Sequence, residues 1–329
     1  MKKQNNVIAI IGPTATGKSD LAIELAKIFN SEVISADSRL VYKDFNIGTA
    51  KPTQEELNAV KHHCVDVASP LDDFSVSNFK DYANLALENL FAKKVPAIIA
   101  GGTGFYVKSL LEGLDIPKVE ADEDFRKIMR DIAEERGNEY LFNLLKIKDP
   151  VLAQKLHPND VFRVIRALEV MDKLNLPMSL LQTKSETNYN TIYIFLDAKE
   201  RSYLYERINK RVDIMLELGL VDEVKNLIAK YGKTISLLKT LGYKEVSEYL
   251  DNILSYEEMV ELIKKNTRNF AKRQLTWFRA VENTHKFYID ELSKSEIIDS
   301  SANSPSFHFS HTANQHTYLT FGQSLPFFL

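Results

Sequence analysis

A five-residue apolar run, a glycine-framed loop and a helix-like stretch follow one another near the start of the chain, and together they limit its fold most. Residues 7–11 read Val7-Ile8-Ala9-Ile10-Ile11, a pattern that suits a strand buried on both faces. Next comes Gly12-Pro13-Thr14-Ala15-Thr16-Gly17-Lys18-Ser19, which fits G-x-x-x-x-G-K-[ST]. Over residues 17–29, Leu21, Leu25 and Ile28 recur on one helical face. Between a strand and a helix this pattern has physical meaning. Its glycines let successive N–H groups turn inward around an anion, and the helix N-terminus adds partial positive charge. All eight loop residues are therefore candidates for binding a di- or triphosphate. Lys18 would reach the terminal oxygens and Ser19 a phosphate-bound magnesium ion. The ordinary alternative is a βα turn that matches by chance, and the flanking strand and helix argue against it. The loop points to a phosphate ligand and leaves the reaction open.

Two further strands end in chemically loaded turns. Glu32-Val33-Ile34-Ser35 leads to Asp37, and Val95-Pro96-Ala97-Ile98-Ile99-Ala100 leads to Gly101-Gly102-Thr103-Gly104. Between them, Phe79, Tyr82, Ala86, Leu90 and Phe91 are spaced close to a helical period. This alternation predicts a parallel sheet flanked by helices, with ligands at the carboxyl ends of the strands. Asp37 is then placed to act as a magnesium ligand or a general base, and Thr103 faces the same cleft. A turn aspartate and a helix-capping threonine are the ordinary alternatives. Tyr193-Ile194-Phe195-Leu196-Asp197 looks like a second acid-bearing strand. Apolar strands ending in Asp are common, so its structural reading is preferred.

At 329 residues and roughly 150 residues per domain, the chain has room for two domains, or for one with a large insertion. Residues 117–190 carry helical patterns with nearly balanced charge and are expected to be a helical insertion. The core would then be 1–116 with 191–292, including a return strand at 191–196 and a last strand at 285–289. Residues 293–329 would be a poorly ordered tail, since 300–329 contain no Asp, Glu, Lys or Arg. His308, His311 and His316 in that tail have no acidic or cysteine partner nearby and are not expected to form a metal site. Cys64 is the only cysteine, which excludes an intrachain disulfide and a Cys-rich zinc site. No apolar segment approaches the ~20 residues that cross a bilayer, and no secretory leader is visible, so a cytoplasmic protein without membrane contact is expected.

The net charge, 42 − 45 = −3, gives no general support to nucleic-acid binding, which must rest on local clusters. One exists. From Lys264 to Lys286 there are seven basic residues and one acidic residue, beside the stripe Val260, Ile263, Thr267, Phe270, Gln274 and Phe278. A solvated face is the usual explanation of such a helix, but this excess reads as a face for nucleic acid or polyphosphate. His157-Pro158-Asn159-Asp160 precedes Arg163 and Arg166 on one helix face. That pair suits two phosphates or a salt bridge to Glu169, and the residues alone favour the salt bridge.

Taken in order, the motifs resemble those of the tRNA dimethylallyltransferase (tRNA isopentenyltransferase) family over residues 6–285. The likeness rests on the phosphate loop and on Ala36-Asp37-Ser38 with Val41-Tyr42. It continues through Ile47-Gly48-Thr49-Ala50-Lys51-Pro52 and Gly101-Gly102-Thr103-Gly104-Phe105-Tyr106. His157-Pro158-Asn159-Asp160 with Arg163 and Arg166-Ala167-Leu168-Glu169 comes next, then Leu241-Gly242-Tyr243-Lys244-Glu245 and Lys272-Arg273-Gln274-Leu275-Thr276-Trp277. Arg39-Leu40 departs from it, because many members carry a glutamine after the Asp-Ser pair. The resemblance implies a P-loop NTPase-like core with a helical insertion, a magnesium requirement and transfer of a dimethylallyl group from dimethylallyl diphosphate. The acceptor would be the exocyclic amine of the adenosine immediately 3′ of the anticodon, in tRNAs reading codons that start with U. It further implies Asp37 as the proton acceptor, Thr103 near the reacting groups, and Arg207 or Arg211 at the diphosphate. Contacts to the anticodon stem-loop would come from Asp37, Ser38, Lys51, Arg163, Arg166, Gln182, Lys264, Arg268, Lys272 and Arg273, in a monomeric protein. Three alternatives differ in testable ways. They are an adenylate isopentenyltransferase, which has no need of the insertion; a P-loop kinase using Asp37 or Asp197; and an RNA-binding protein without catalysis.

Overall fold

The computed structural model describes residues 5–187 and 189–303. Six strands, β1 (Asn5–Ile11), β2 (Val33–Ser35), β3 (His62–His63), β4 (Ala97–Gly101), β5 (Tyr189–Asp197) and β6 (Thr284–Tyr288), form one sheet in the order β3-β2-β4-β1-β5-β6. All neighbours run parallel. β1 sits between β4 and β5, with Val7 opposite Ala97 on one side and Thr191 on the other. Its apolar run explains the place: residues 7–11 are fully buried, as expected of a parallel strand covered on both faces.

The helix Lys18–Ile28 lays Leu21, Leu25 and Ala26 against Ile8, Ile10, Ile98 and Ile194. A second core joins Val41 and Phe45 to Val212, Leu220, Val224, Tyr243, Val246, Met259 and Ile263. These last residues come from the helices Arg201–Glu217, Leu220–Tyr231, Tyr243–Leu250 and Tyr256–Phe278. Phe278 meets Phe195 of β5 with ring centroids 6.4 Å apart.

The described residues up to Val107 and from Tyr189 onward form one unit, and Lys108–Thr187 forms another. The second unit is helical around Leu141, Leu145, Val164 and Leu168. Its two ends are tied by the bridge Leu114↔Lys184, a pairing too short to leave a pattern in the sequence. Buried Glu169 organises this unit. It accepts from Asp122 N at 2.7 Å and Arg126 Nε at 2.9 Å, and it pairs with Arg166, whose other guanidinium nitrogen donates to Val119 O at 2.8 Å.

Residues 293–303, assigned to the tail on sequence, differ from that expectation. Lys294–Asn303 is a helix whose Ile297 joins the core cluster of the helix Lys18–Ile28. Ser293 and Glu296 cap its start reciprocally. Ile297 and Ile298 give this stretch an apolar side. The expectation for 304–329 lies outside the described residues. Among the described residues, no helix is long and apolar enough to cross a membrane.

Candidate active site

The carboxyl ends of β1, β2 and β4 meet at a cavity of about 580 Å³, lined among others by Lys18, Ser19, Asp37, Ser38, Thr103 and Arg211. The loop after β1 needs its glycines. A side chain on Gly12 (φ +147°) would put Cβ 2.3 Å from Leu196 O, and Gly17 starts the helix in the left-handed region at φ +86°. Thr16 Oγ1 and Lys18 Nζ both donate to Pro13 O, at 2.9 and 2.6 Å. Arg207 Nε donates to Ala15 O at 2.8 Å. Arg207 thus grips the outside of the loop, whereas Arg211 lines the cavity. The loop's N–H groups are not all turned to the cavity, because Thr14 N donates to Gln274 Oε1 at 2.8 Å.

The floor of the cavity is electrostatically unsatisfied. Burial, with the nearby Arg211 charge, pushes the Lys18 ammonium down from 10.5 to about 7, although Asp37 opposes the shift. Burial also lowers the pKa of Arg211 against the pull of Asp37 and Asp20. Two cations held out of water in this way favour an anion between them.

Asp37 and Thr103 stand on adjacent strand ends. Asp37 Oδ1 accepts from Arg39 N at 2.8 Å, and Thr103 Oγ1 accepts from Ser38 N at 3.0 Å. Thr103 N donates to Ala36 O at 3.2 Å. The approach is so close that a Cβ on Gly101 would lie 2.1 Å from Ala36 O. Val212, Met215, Leu220, Leu241, Ile263 and Phe270 add apolar side chains to the cavity lining.

Two positioning contacts carry no assignment in the sequence reading. Glu223 accepts from Ile47 N at 2.8 Å, Asn46 N at 3.1 Å, Gly48 N at 3.2 Å and the Tyr243 hydroxyl at 2.7 Å. It thereby fixes the loop whose Gly48 lies against the Tyr243 ring. Burial and the Glu223 charge raise the Tyr243 phenol above its ordinary range. Nothing in sequence distinguishes Glu223 from a solvated helix glutamate. Gln274 did leave a signal, as an amide within an apolar stripe.

The candidate RNA contacts divide. Lys272 and Arg273 are exposed on the helix Tyr256–Phe278, and Arg273 also lines the cavity. On the same helix Lys264 pairs with Asp213 at 2.7 Å, and Arg268 donates to Asn209 Oδ1 at 2.6 Å. The Lys51 side chain is 4% exposed and held by Asp66 at 2.5 Å and Tyr42 O at 2.8 Å. In the helical unit, Arg163 and Gln182 are exposed, whereas Arg166 is engaged by Glu169. Asp197 is fully buried and ion-paired with Arg201 at 2.7 Å and Lys286 at 3.4 Å, so it is the structural aspartate that the sequence favours. Among the described residues no cluster of three or more His, Cys, Asp or Glu could hold a metal by itself.

Known proteins share this architecture. The model of the IPP transferase family matches residues 40–281. A tRNA dimethylallyltransferase of Acetivibrio thermocellus is 46% identical over 298 residues, covering 89% of this chain and 95% of the relative. The crystal structure of a full-length tRNA isopentenylpyrophosphate transferase from Bacillus halodurans superposes with a TM-score of 0.68 at 38% identity, over 91% of this chain and 95% of that one. A eukaryotic dimethylallyltransferase described as acting on tRNA gives a TM-score of 0.70 at 27% identity, over 91% of this chain and 79% of its own. With its parallel sheet, its phosphate loop and relatives matched along nearly their full length, the chain belongs to the IPP transferase family.

Proposed function

We propose that the protein transfers a dimethylallyl group from dimethylallyl diphosphate to the exocyclic amine of the adenosine immediately 3′ of the anticodon, in tRNAs reading codons that start with U. The observation that carries this reading is the composition of one cavity. It is lined by desolvated Lys18 and Arg211, by Asp37 and Thr103, and by a set of apolar side chains. A diphosphate and a short hydrocarbon find complementary surfaces there.

In the reaction the allylic C–O bond breaks, the adenine nitrogen bonds to that carbon, diphosphate leaves, and one amine proton passes to a base. Charge grows on the diphosphate as the bond breaks. Lys18, Arg211 and the loop N–H groups that face the cavity stabilise it most at the transition state. Arg207 supports the loop through Ala15 O. Asp37 receives the proton and orients the amine, and Thr103 holds the Ser38 backbone beside it. The acceptor base leaves its stack to enter the cavity. Lys272, Arg273, Arg163 and Gln182 offer exposed polar groups to the RNA, with Lys264 and Arg268 beside them. Lys51 and Arg166 act by holding their own surroundings in place.

The chemistry of the site fits a magnesium ion bound together with diphosphate: Ser19, in the first helical turn, would supply a hydroxyl to hold it. When bound, it would neutralise charge on the leaving group. A kinase reading is weaker because Arg201 and Lys286 already occupy Asp197. Free AMP as acceptor leaves the helical unit Lys108–Thr187 without a task. Action on tRNA supports a cytoplasmic protein, and we read it as a monomer.

The test supplies dimethylallyl diphosphate and magnesium with an anticodon stem-loop or with AMP, and follows the mass of one dimethylallyl unit. Addition to the stem-loop, lost in Asp37→Ala, is expected. Addition to AMP alone, or ATP turnover without prenyl transfer, would overturn the proposal.

A further inference from the structure

Gln274 lies in the apolar stripe of the helix Tyr256–Phe278 and is 5% exposed. Both ends of its amide are committed. Oε1 accepts from Thr14 N at 2.8 Å, and Nε2 donates to Gly102 O at 3.0 Å. Since Thr14 N can only donate and Gly102 O can only accept, the amide has one orientation. It bridges the phosphate loop after β1 and the loop after β4 that presents Thr103. Gly102 is shaped to it, because a Cβ there would lie 2.2 Å from Nε2. One helical turn on, the Trp277 ring covers Gly104, where a Cβ would approach it to 2.7 Å. A buried amide with two well-placed partners is a stiff spacer, and leaving those partners unpaired is unfavourable.

We propose that Gln274 is a positioning residue that sets the spacing between the diphosphate seat and the acceptor seat. The inference rests on the transferase reading above. The helix that carries Gln274 also carries Lys272 and Arg273, so the strut joins the diphosphate loop to the helix offered to RNA. Its role is in alignment rather than in holding either substrate. Removing the amide releases Thr14 N, which can then turn to the phosphate, so diphosphate affinity is retained while the alignment of carbon and amine is lost. Misplacement of reacting groups by about 1 Å lowers turnover by up to about 100-fold.

The test compares the full-length wild type with Gln274→Met and Gln274→Glu. Gln274→Met keeps the bulk and loses both hydrogen bonds. Gln274→Glu keeps the acceptor for Thr14 N and loses the donor to Gly102 O. Inorganic diphosphate binding is read from the fluorescence of Trp277, the chain's only tryptophan, which lines the cavity. Stem-loop binding is read by filter retention, and transfer by mass. The expected result for Gln274→Met is kcat reduced by about 10- to 100-fold, with both affinities within about threefold of wild type and the thermal midpoint preserved to a few degrees. Gln274→Glu should likewise fall in kcat, showing that the bond to Gly102 O matters as well. A loss of diphosphate affinity with kcat unchanged at saturation would make Gln274 a binding residue and overturn the proposal. So would unchanged kcat in Gln274→Met, or a drop in activity that only tracks the folded fraction. If wild type transfers nothing to the stem-loop, the transferase reading fails and this inference with it. If wild type transfers and Gln274→Met equals it, this inference alone fails.

Discussion

Replacing Lys18 by methionine should stabilise the unliganded protein while abolishing its grip on diphosphate. In the folded state the ammonium is crowded by protein and by Arg211, which brings its pKa from 10.5 to about 7. At 1.36 kcal/mol per pH unit, that difference corresponds to about 4 kcal/mol at pH 7, where half of the folded-state ammonium has already lost its proton. Lys18 keeps some surface open to the cavity, and its bond to Pro13 O is lost in the variant, so a net gain of about 2–4 kcal/mol is expected. The sign follows from proton counting. Between pH 7 and 10.5 the unfolded chain binds more protons at this lysine than the folded one, so wild-type stability rises with pH across that window and this residue adds no slope below it. Methionine has no such slope. The gap between variant and wild type should therefore narrow by about 2–3 kcal/mol from pH 7 to pH 9. Urea unfolding followed by Trp277 fluorescence measures it, since that tryptophan reports on the unit that holds the site. Inorganic diphosphate should raise the wild-type midpoint and leave the variant unmoved. A variant less stable than wild type at pH 7, or a gap equal at both pH values, would refute the argument that burial leaves this cation unsatisfied.

Glu169→Gln should destabilise the helical unit by about 3–5 kcal/mol, because Arg126 and Arg166 would lose their shared buried carboxylate; limited proteolysis within 108–187 would detect it. Burial opposes ionisation of Glu169, but the two guanidiniums outweigh it and hold its pKa below 4.5. Acid should therefore loosen the same unit as pH falls through that lowered value, which proteolysis at pH 3 and 6 would check. Gly101→Ala forces a methyl group onto Ala36 O and should lower stability by about 3 kcal/mol, seen as a reduced thermal midpoint together with lost diphosphate binding. The double substitution Lys272→Gln with Arg273→Gln should weaken stem-loop binding and reduce the slope of log K against log salt by about 1–2. An unchanged slope would remove these residues from the RNA face.

The sheet was legible because its strands are short apolar runs that end in turn residues. β1, β2 and β4 could be placed within a residue or two, and with them Lys18, Ser19, Asp37 and Thr103. β3 was not legible: two histidines carry no hydrophobic pattern, and they pair as a strand only because β2 offers an edge. Charge alone also misled. Lys51 looks like a surface cation in sequence, yet it meets Asp66, a carboxylate that only the folded chain brings near. The Arg166–Glu169 pair, by contrast, is three residues apart on one helix and is legible from spacing alone. Arg207 and Arg211 are one helical turn apart, and periodicity cannot say which reaches the cavity and which the back of the loop. Glu223 and Gln274 act on backbone groups more than 170 residues away, which no local pattern encodes.

That separation along the chain bears on how the protein is made. The phosphate loop leaves the ribosome well before the strands that flank β1, which has neither neighbour until β4 and then β5 emerge. Between those two strands lies the whole helical unit Lys108–Thr187, a body with its own apolar core. Domains generally form as units during synthesis, so this one can settle while the first strands still wait for β5. Gln274 arrives later still, 260 residues after Thr14, and ties down the phosphate loop. The catalytic cavity accordingly closes late, and a nascent chain cannot bind diphosphate tightly before the helix Tyr256–Phe278 has been translated.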